Sequence, residues 1–415
     1  MQNNKISQSN GENDSNEKKK HSQNAPIYDM SIIKDILKRE DMQLLVNSDD
    51  LTTENYLKPM NKNADENSCD SNDTRYVLNK RKIDVTKFLI EIGAKLDYVS
   101  SGATGHLFRG DVIRDGKVIY QFAMKVAAYR KHASYGEITN TQRPENAEIM
   151  MLRTLSYFVV KNQTPHLILP IVTFYSDIKV FLSLAEYGYI KHDSDKYDKF
   201  IKDYKEGGYD RTVSILLSQW ANRGDFLDFA RKRYKNFKLI HWKVFFFQIL
   251  SVLAVIQSKY PNFLHHDLKL NNVLVQKIPK TGKPWQYTIC NKLYILPDIG
   301  YQLKLWDFDF ACIEGVVDNI KTTENWTKRI NVTPKKHQYY DIHYCFNTML
   351  KFIPELVTDK KHVPQEMLQF VYRVVPEKYR DSVRVTKKGR LLTDDEYTTP
   401  KRLLEEDEFF TDFRY

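Results

Sequence analysis

Cysteine is scarce in this chain of 415 residues. There are four, Cys69, Cys290, Cys312 and Cys345, with no Cys-x-x-Cys pair among them. That spacing offers neither a zinc site nor a disulfide framework, and it suits thiols kept reduced in a cytosol-like compartment. Long apolar runs are missing too. The longest, Val244 to Ile256, is broken by Gln248 and Ser251; it is expected to be a buried core helix, too short for a transmembrane segment. The first 25 or so residues are polar, so no secretory leader is expected. No internal repeat and no RNA- or DNA-binding motif is found. Glycine is sparse at 15 residues, which draws attention to Gly102 and Gly105 standing close together.

What is present is a large apolar inventory. Hydrophobic residues make up 42% and aromatics 13%, enough for one large bilobal domain or two domains. The formal net charge of +10 suits acidic substrates, nucleic acid or peripheral contact with an anionic membrane. The basic residues are dispersed, however, as on an ordinary solvated surface. Residues 1 to about 27 are rich in Asn, Ser, Lys and Glu and are expected to be disordered. Residues 30–46 carry apolar positions at helical spacing, and 47–75 turn polar again, as in a linker. The globular part is expected to start near residue 80. Phe88 to Val99 leads into Ser100-Ser101-Gly102-Ala103-Thr104-Gly105, and Val118 to Val126 has strand composition. Pro144 to Val160 reads as a helix, and helical periodicity dominates beyond Asp225. Residues 191–211 and 276–302 look like surface insertions.

The chemistry concentrates in His265-His266-Asp267-Leu268-Lys269-Leu270-Asn271-Asn272. A carboxylate at Asp267 can accept the proton of an attacking hydroxyl. Lys269 can reach a transferring phosphoryl group, and the amide oxygen of Asn272 can bind Mg²⁺. Asp307, after the apolar-rich Leu303-Lys304-Leu305-Trp306, is the candidate second metal ligand. Gly102 and Gly105 would let the backbone approach phosphates closely. Lys125, at the end of its strand, could pair the α- and β-phosphates, oriented by Glu148 or, failing that, Glu145 or Glu137. Asp341 opens an apolar segment, either as an ordinary N-cap or as a brace for the loop at 265–272.

Together these residues resemble the eukaryotic-type protein kinase superfamily over roughly 95–410. Residues 100–107 are similar to its glycine-rich loop, with Ser100 in place of the first glycine. Phe122-Ala123-Met124-Lys125 is similar to the strand of the ATP-positioning lysine, and 215–226 to the hinge and the helix after it. Three departures stand out: His266 replaces the arginine usual before the catalytic aspartate, Asp309 replaces the glycine after Asp307-Phe308, and no Ala-Pro-Glu precedes Asp341. The combination of Asp307-Phe308-Asp309-Phe310 with Tyr339-Tyr340-Asp341-Ile342-His343 resembles the serine/threonine kinases of poxviruses and other large cytoplasmic DNA viruses.

The resemblance implies an α+β, bilobal protein-kinase-like fold. A disordered extension with a possible helix at 30–46 would occupy 1–80, a β-rich N-lobe about 81–218, and an α-helical C-lobe about 219–415. It implies catalysis by Asp267 and Lys269, and ATP binding by Ser101, Gly102, Gly105, Leu107, Ala123, Lys125 and Glu148. Asn272 and Asp307 would hold Mg²⁺ or Mn²⁺, with His265 and Asp341 in support. Lys269 favours Ser or Thr acceptors on protein substrates, virion or host proteins among them, in the host cytoplasm or the virion. His266 lacks arginine's bidentate fork, so no dependence on activation-loop phosphorylation is expected. Two alternatives share the fold: a small-molecule phosphotransferase of the aminoglycoside/choline kinase type, to which Asp307-Phe308-Asp309 also conforms, and a scaffold without activity.

Overall fold

The computed structural model describes residues 23–24, 42–46, 60, 72–101, 105–131, 135–183, 190–191, 195–380, 383–394 and 396–415. Most of the disorder expected for 1–27, most of the helix expected over 30–46, most of the linker expected over 47–75, Cys69 and Gly102 lie outside them; residues 42–46, the described end of the expected helix, are not helical. The first strand, β1 (Gln23–Asn24), is a two-residue edge.

The N-lobe begins earlier than expected. Residues 72–80 are packed rather than part of a free extension, with Thr74, Val77, Leu78 and Lys80 buried. Lys80 Nζ donates to Tyr129 Oη at 3.0 Å, Asn146 Oδ1 at 3.2 Å and Ser214 Oγ at 2.5 Å. Burial lowers this ammonium to about 7. Further upstream, Leu45 and Val46 are buried, and Leu45 N–H donates to Ile171 O.

The segment leading to the glycines is divided by Gly93. Helix α1 (Val85–Ile92) starts at Asp84, whose carboxylate accepts the N–H groups of Thr86 and Lys87, and ends at Gly93 with φ +65°. Strands β2 (Ala94–Ser101), β3 (His106–Arg114) and β4 (Lys117–Arg130) follow. Helix α2 (Pro144–Val160) takes its start from Pro144. Strands β5 (Pro170–Asp177), β6 (Ile190–Lys191) and β7 (Tyr209–Gln219) complete a sheet of order β5-β7-β4-β3-β2-β6. The expected surface insertion contains a helix, Asp195–Lys205, whose Phe200 is buried with its ring 4.4 Å from His106. Phe200, Ile201 and Tyr204 share one helical face, which is why the segment packs.

The C-lobe is built on helices α3 (Phe226–Arg233), α4 (Leu239–Lys259), α5 (Tyr339–Phe352), α6 (Gln365–Val374) and α7 (Pro400–Glu406). At 21 residues α4 is longer than its apolar stretch suggested, and among the described residues it is the one helix long and apolar enough to cross a membrane. Its side chains from Val244 to Gln257 are buried in the C-lobe core. The expected insertion at 276–302 is in fact a packed hairpin, β9 (Trp285–Ile289) with β10 (Lys292–Leu296), flanked by β8 (Val273–Lys277) and β11 (Tyr301–Leu305). Cys290 and Asn291 turn it with φ of +48° and +67°. Tyr287 and Tyr294 pack on Phe247 of α4, and β1 runs parallel to β9. Cys290, Cys312 and Cys345 are free thiols.

β8 and β11 position the site. They pair antiparallel with Val273 opposite Leu305, so Asn272 and Asp307 leave adjacent strand ends on one side. Trp306 N–H closes that end on Asn272 O. His166 ties the hairpin and β11 to the segment before β5: its Nδ1 donates to Leu303 O at 2.8 Å, and its Nε2 accepts from Tyr287 Oη at 3.1 Å. Burial pushes this imidazole down to about 3, so it is neutral in the fold and protonates in the unfolded chain below about 6.5. Stability is therefore lost as pH falls from about 6.5 towards 3, by up to about 1.4 kcal/mol per pH unit. Urea unfolding across this range should show a shallower decline for His166→Gln than for wild type. Equal slopes would remove His166 from the linkage.

Candidate active site

A cavity of about 960 Å³ separates the lobes. Its walls gather Lys125 from β4, Asp267, Lys269 and Asn272 from the loop before β8, and Asp307 after β11. Lys125 Nζ donates to both oxygens of Glu148, at 2.7 and 2.8 Å, and to Asp307 Oδ1 at 3.0 Å. Burial opposes its charge, but the carboxylates of Asp307, Glu148 and Asp309 outweigh that and hold Lys125 protonated well above the ordinary lysine range. For Asp307 the same ammonium outweighs burial and lowers the carboxyl. Glu148 is the more enclosed of the two acids; burial raises its carboxyl, against the pull of Lys125. Glu145 is paired instead with Arg143, and Glu137 is exposed.

The 265–272 loop is held from beneath. Asp341 lies in the first turn of α5, not at its N-cap, which is Gln338. Its fully buried carboxylate accepts His265 N–H at 2.7 Å and His266 N–H at 2.9 Å. Burial raises this carboxyl, while His265 and the two N–H groups oppose the rise. His266 has φ +60°, a left-handed conformation uncommon for a side chain with a Cβ. Its ring nitrogens lie 3.0 Å from Phe310 O and 2.8 Å from Thr333 O, joining the loop to the segment after Asp307. His265 Nε2 donates to Trp306 O, and its ring lies 4.9 Å from that of Phe308.

Within the loop, Lys269 Nζ donates to Asp267 Oδ2 at 2.8 Å. Asn272 Nδ2 donates to Asp267 O and Oδ2 at 2.8 and 3.1 Å, which leaves the amide oxygen as the Asn272 atom available to a cation. That oxygen and the Asp307 carboxylate are hard donors suited to Mg²⁺ or Mn²⁺. Among the described residues no cluster of three His, Cys, Asp or Glu could hold a metal, so these two ligands would leave the remaining positions to phosphate oxygens and water.

Val99, Leu107, Ala123 and Leu274 line the cavity as an apolar slot beside the strand end at Gln219-Trp220-Ala221. Ser100 is in the wall; for Ser101 only the backbone is described, paired with His106. Gly105 is required by β4: a Cβ there would stand 2.6 Å from Val126 O.

Two charged residues of the site escaped sequence reasoning. Lys321 ion-pairs with Asp309 in a buried contact and lies 4.0 Å over the Phe310 ring. Arg390 ion-pairs with Asp267 Oδ1 and donates to His266 O. Both stand in polar stretches that carry no motif of the site.

The sequence profile described as poxvirus serine/threonine protein kinase matches residues 124–391. A protein of Acanthamoeba polyphaga mimivirus, provisionally named a serine/threonine-protein kinase, is 44% identical over 369 residues, 86% of this chain and 77% of its own. Serine/threonine-protein kinase 2 of monkeypox virus is 30% identical over 160 residues, 36% of this chain and 33% of its own. The protein of that name in swinepox virus is 25% identical over 212 residues, 45% and 43% of the two chains. With its profile match running from the Lys125 strand to the Arg390 turn, the chain belongs to the poxvirus serine/threonine protein kinase family.

Proposed function

We propose that this protein transfers the γ-phosphoryl group of ATP to serine and threonine hydroxyls of protein substrates. The observation that carries the reading is the joint presence, on one cavity, of the Lys125–Glu148–Asp307 charge cluster and the Asp267–Lys269–Asn272 loop. Asp267 is assigned as the group that accepts the hydroxyl proton, and Lys269 as the cation beside the transferring phosphoryl. Lys125, oriented by Glu148, is assigned to the α- and β-phosphates. Val99, Leu107, Ala123 and Leu274 would enclose the adenine, and Ser101, Gly102 and Gly105 are assigned to ATP binding.

Family membership implies a nucleotide and a divalent cation; Mg²⁺ or Mn²⁺ is proposed here, held by Asn272 and Asp307. Such an ion neutralises charge on the phosphate oxygens when bound. His265 and Asp341 support the loop. Virion and host proteins are the proposed substrates, in the host cytoplasm or the virion. The small-molecule phosphotransferase reading is not favoured: the relatives are named as serine/threonine kinases, and Asp309, its supporting residue, is engaged by Lys321.

Incubation with radiolabelled ATP and a generic basic protein should show incorporation. Asp267→Asn and Lys125→Ala are expected to lower it by at least about 10²-fold. Equal incorporation by the Asp267→Asn protein would overturn the reading. Asp341→Ala strands two buried N–H groups and is expected to lower the unfolding free energy by about 3 kcal/mol in urea titration. A loss below about 0.5 kcal/mol would show that the loop is not braced by this carboxylate.

A further inference from the structure

Arg390 reaches the loop from far along the chain, out of a turn with a firm seat. Val385 bridges to Leu391, Thr386 N–H donates to Arg390 O, and Gly389 N–H donates to Thr386 O. Gly389, at φ +90°, allows the reversal. Asn347 of α5 donates to Gly389 O at 3.1 Å, Asn331 donates to Leu391 O at 2.7 Å, and Leu391 is fully buried. The turn is thus held by the C-lobe on two sides, as a fixed part and not as a strap lying over the cavity.

From this seat the buried guanidinium stacks 4.4 Å over the Tyr344 ring. One of its arms donates to Asp267 Oδ1 and the other to the carbonyl of His266. Asp267 Oδ2 is taken by Lys269 and Asn272, so Arg390 is what fixes the second oxygen and with it the plane of the carboxylate. It also satisfies the carbonyl of the residue in the left-handed conformation, whose N–H is held by Asp341. The peptide turn before Asp267 is therefore clamped by an anion on one side and a cation on the other.

We propose that Arg390 is a positioning residue for phosphoryl transfer: it aims the Asp267 carboxylate at the acceptor hydroxyl. This rests on the assignment of Asp267 as the proton acceptor. A planar fork is needed because two acceptors on successive residues must be held together, which a lysine ammonium on a flexible stem cannot do equally well.

The test uses the full chain, with Arg390→Ala and Arg390→Lys compared with wild type and Asp267→Asn, and folding scored by melting midpoint. Arg390→Ala is expected to lower kcat by about 10²-fold, the scale of a misaimed reacting group, with KM for ATP little changed. Added guanidinium ion at concentrations below the unfolding range should recover about tenfold of that loss, which a general loss of structure would not show. Arg390→Lys should fold and stay about tenfold or more below wild type in kcat. If Arg390→Ala fails to fold, the lysine variant decides. Wild-type kcat in a folded Arg390 variant, a raised kcat, or a loss confined to KM for ATP overturns the proposal. If Asp267→Asn is inactive while Arg390→Ala keeps wild-type kcat, only this inference fails. Wild-type turnover in Asp267→Asn removes the reading beneath it as well.

Discussion

The ammonium of Lys125 is the constraint on which the rest depends. A buried cation costs several kcal/mol unless anions meet it with good geometry. Here both anions come from elsewhere, Glu148 from α2 and Asp307 from the end of β11. Sheet, helix and C-lobe must therefore assemble around one charge. The neighbouring contacts run the same way. Ile320 N–H donates to Gln142 O just before α2, tying the segment after Asp307 to the helix that carries Glu148. Lys321, next in sequence, is neutralised by Asp309.

A second constraint is local. His266 and Asp307 both have positive φ, at +60° and +62°, although neither is glycine. Such conformations cost on the order of 1–2 kcal/mol each and persist when the surroundings over-determine them. For His266 the surroundings are Asp341, Arg390 and the two carbonyls at its ring. Where the superfamily usually carries an arginine, His266 is engaged with Phe310 and Thr333. The segment after Asp307 is joined to the loop by groups that are part of the chain.

How much of this could be read from the sequence follows from chain distance. Asp267, Lys269 and Asn272 lie within one short loop, so their proximity is enforced by connectivity. Glu148 could be selected because helical spacing places it on a face with Leu152 and Leu155. Arg390 has no such tether: Lys387-Lys388-Gly389-Arg390 has the composition of a solvated turn, and only the folded chain brings it to Asp267. Lys321 lies only 12 residues from Asp309, but no helical or strand spacing relates the two, so the fold alone sets that pairing. Prolines and glycines around 276–302 signalled turns, which obscured the alternation of Trp285, Tyr287 and Ile289. Gly105 was legible as a glycine but not for its cause, since the atom that excludes a Cβ belongs to β4. The length of α4 exceeded its apolar core because polar ends can join a helix whose middle is buried.

Because His266 joins the loop to the segment after Asp307 through the carbonyls of Phe310 and Thr333, the kinase is expected to act without a phosphate on its own chain. Phosphoamino-acid analysis tests it most directly, using enzyme co-expressed with a phosphatase, verified as unmodified by mass spectrometry, and given labelled ATP with a mixed protein acceptor. The account predicts phosphoserine and phosphothreonine in the acceptor at a rate equal to that of untreated enzyme. Transfer only to small alcohols, or activity that returns only after the enzyme itself is phosphorylated, would contradict it.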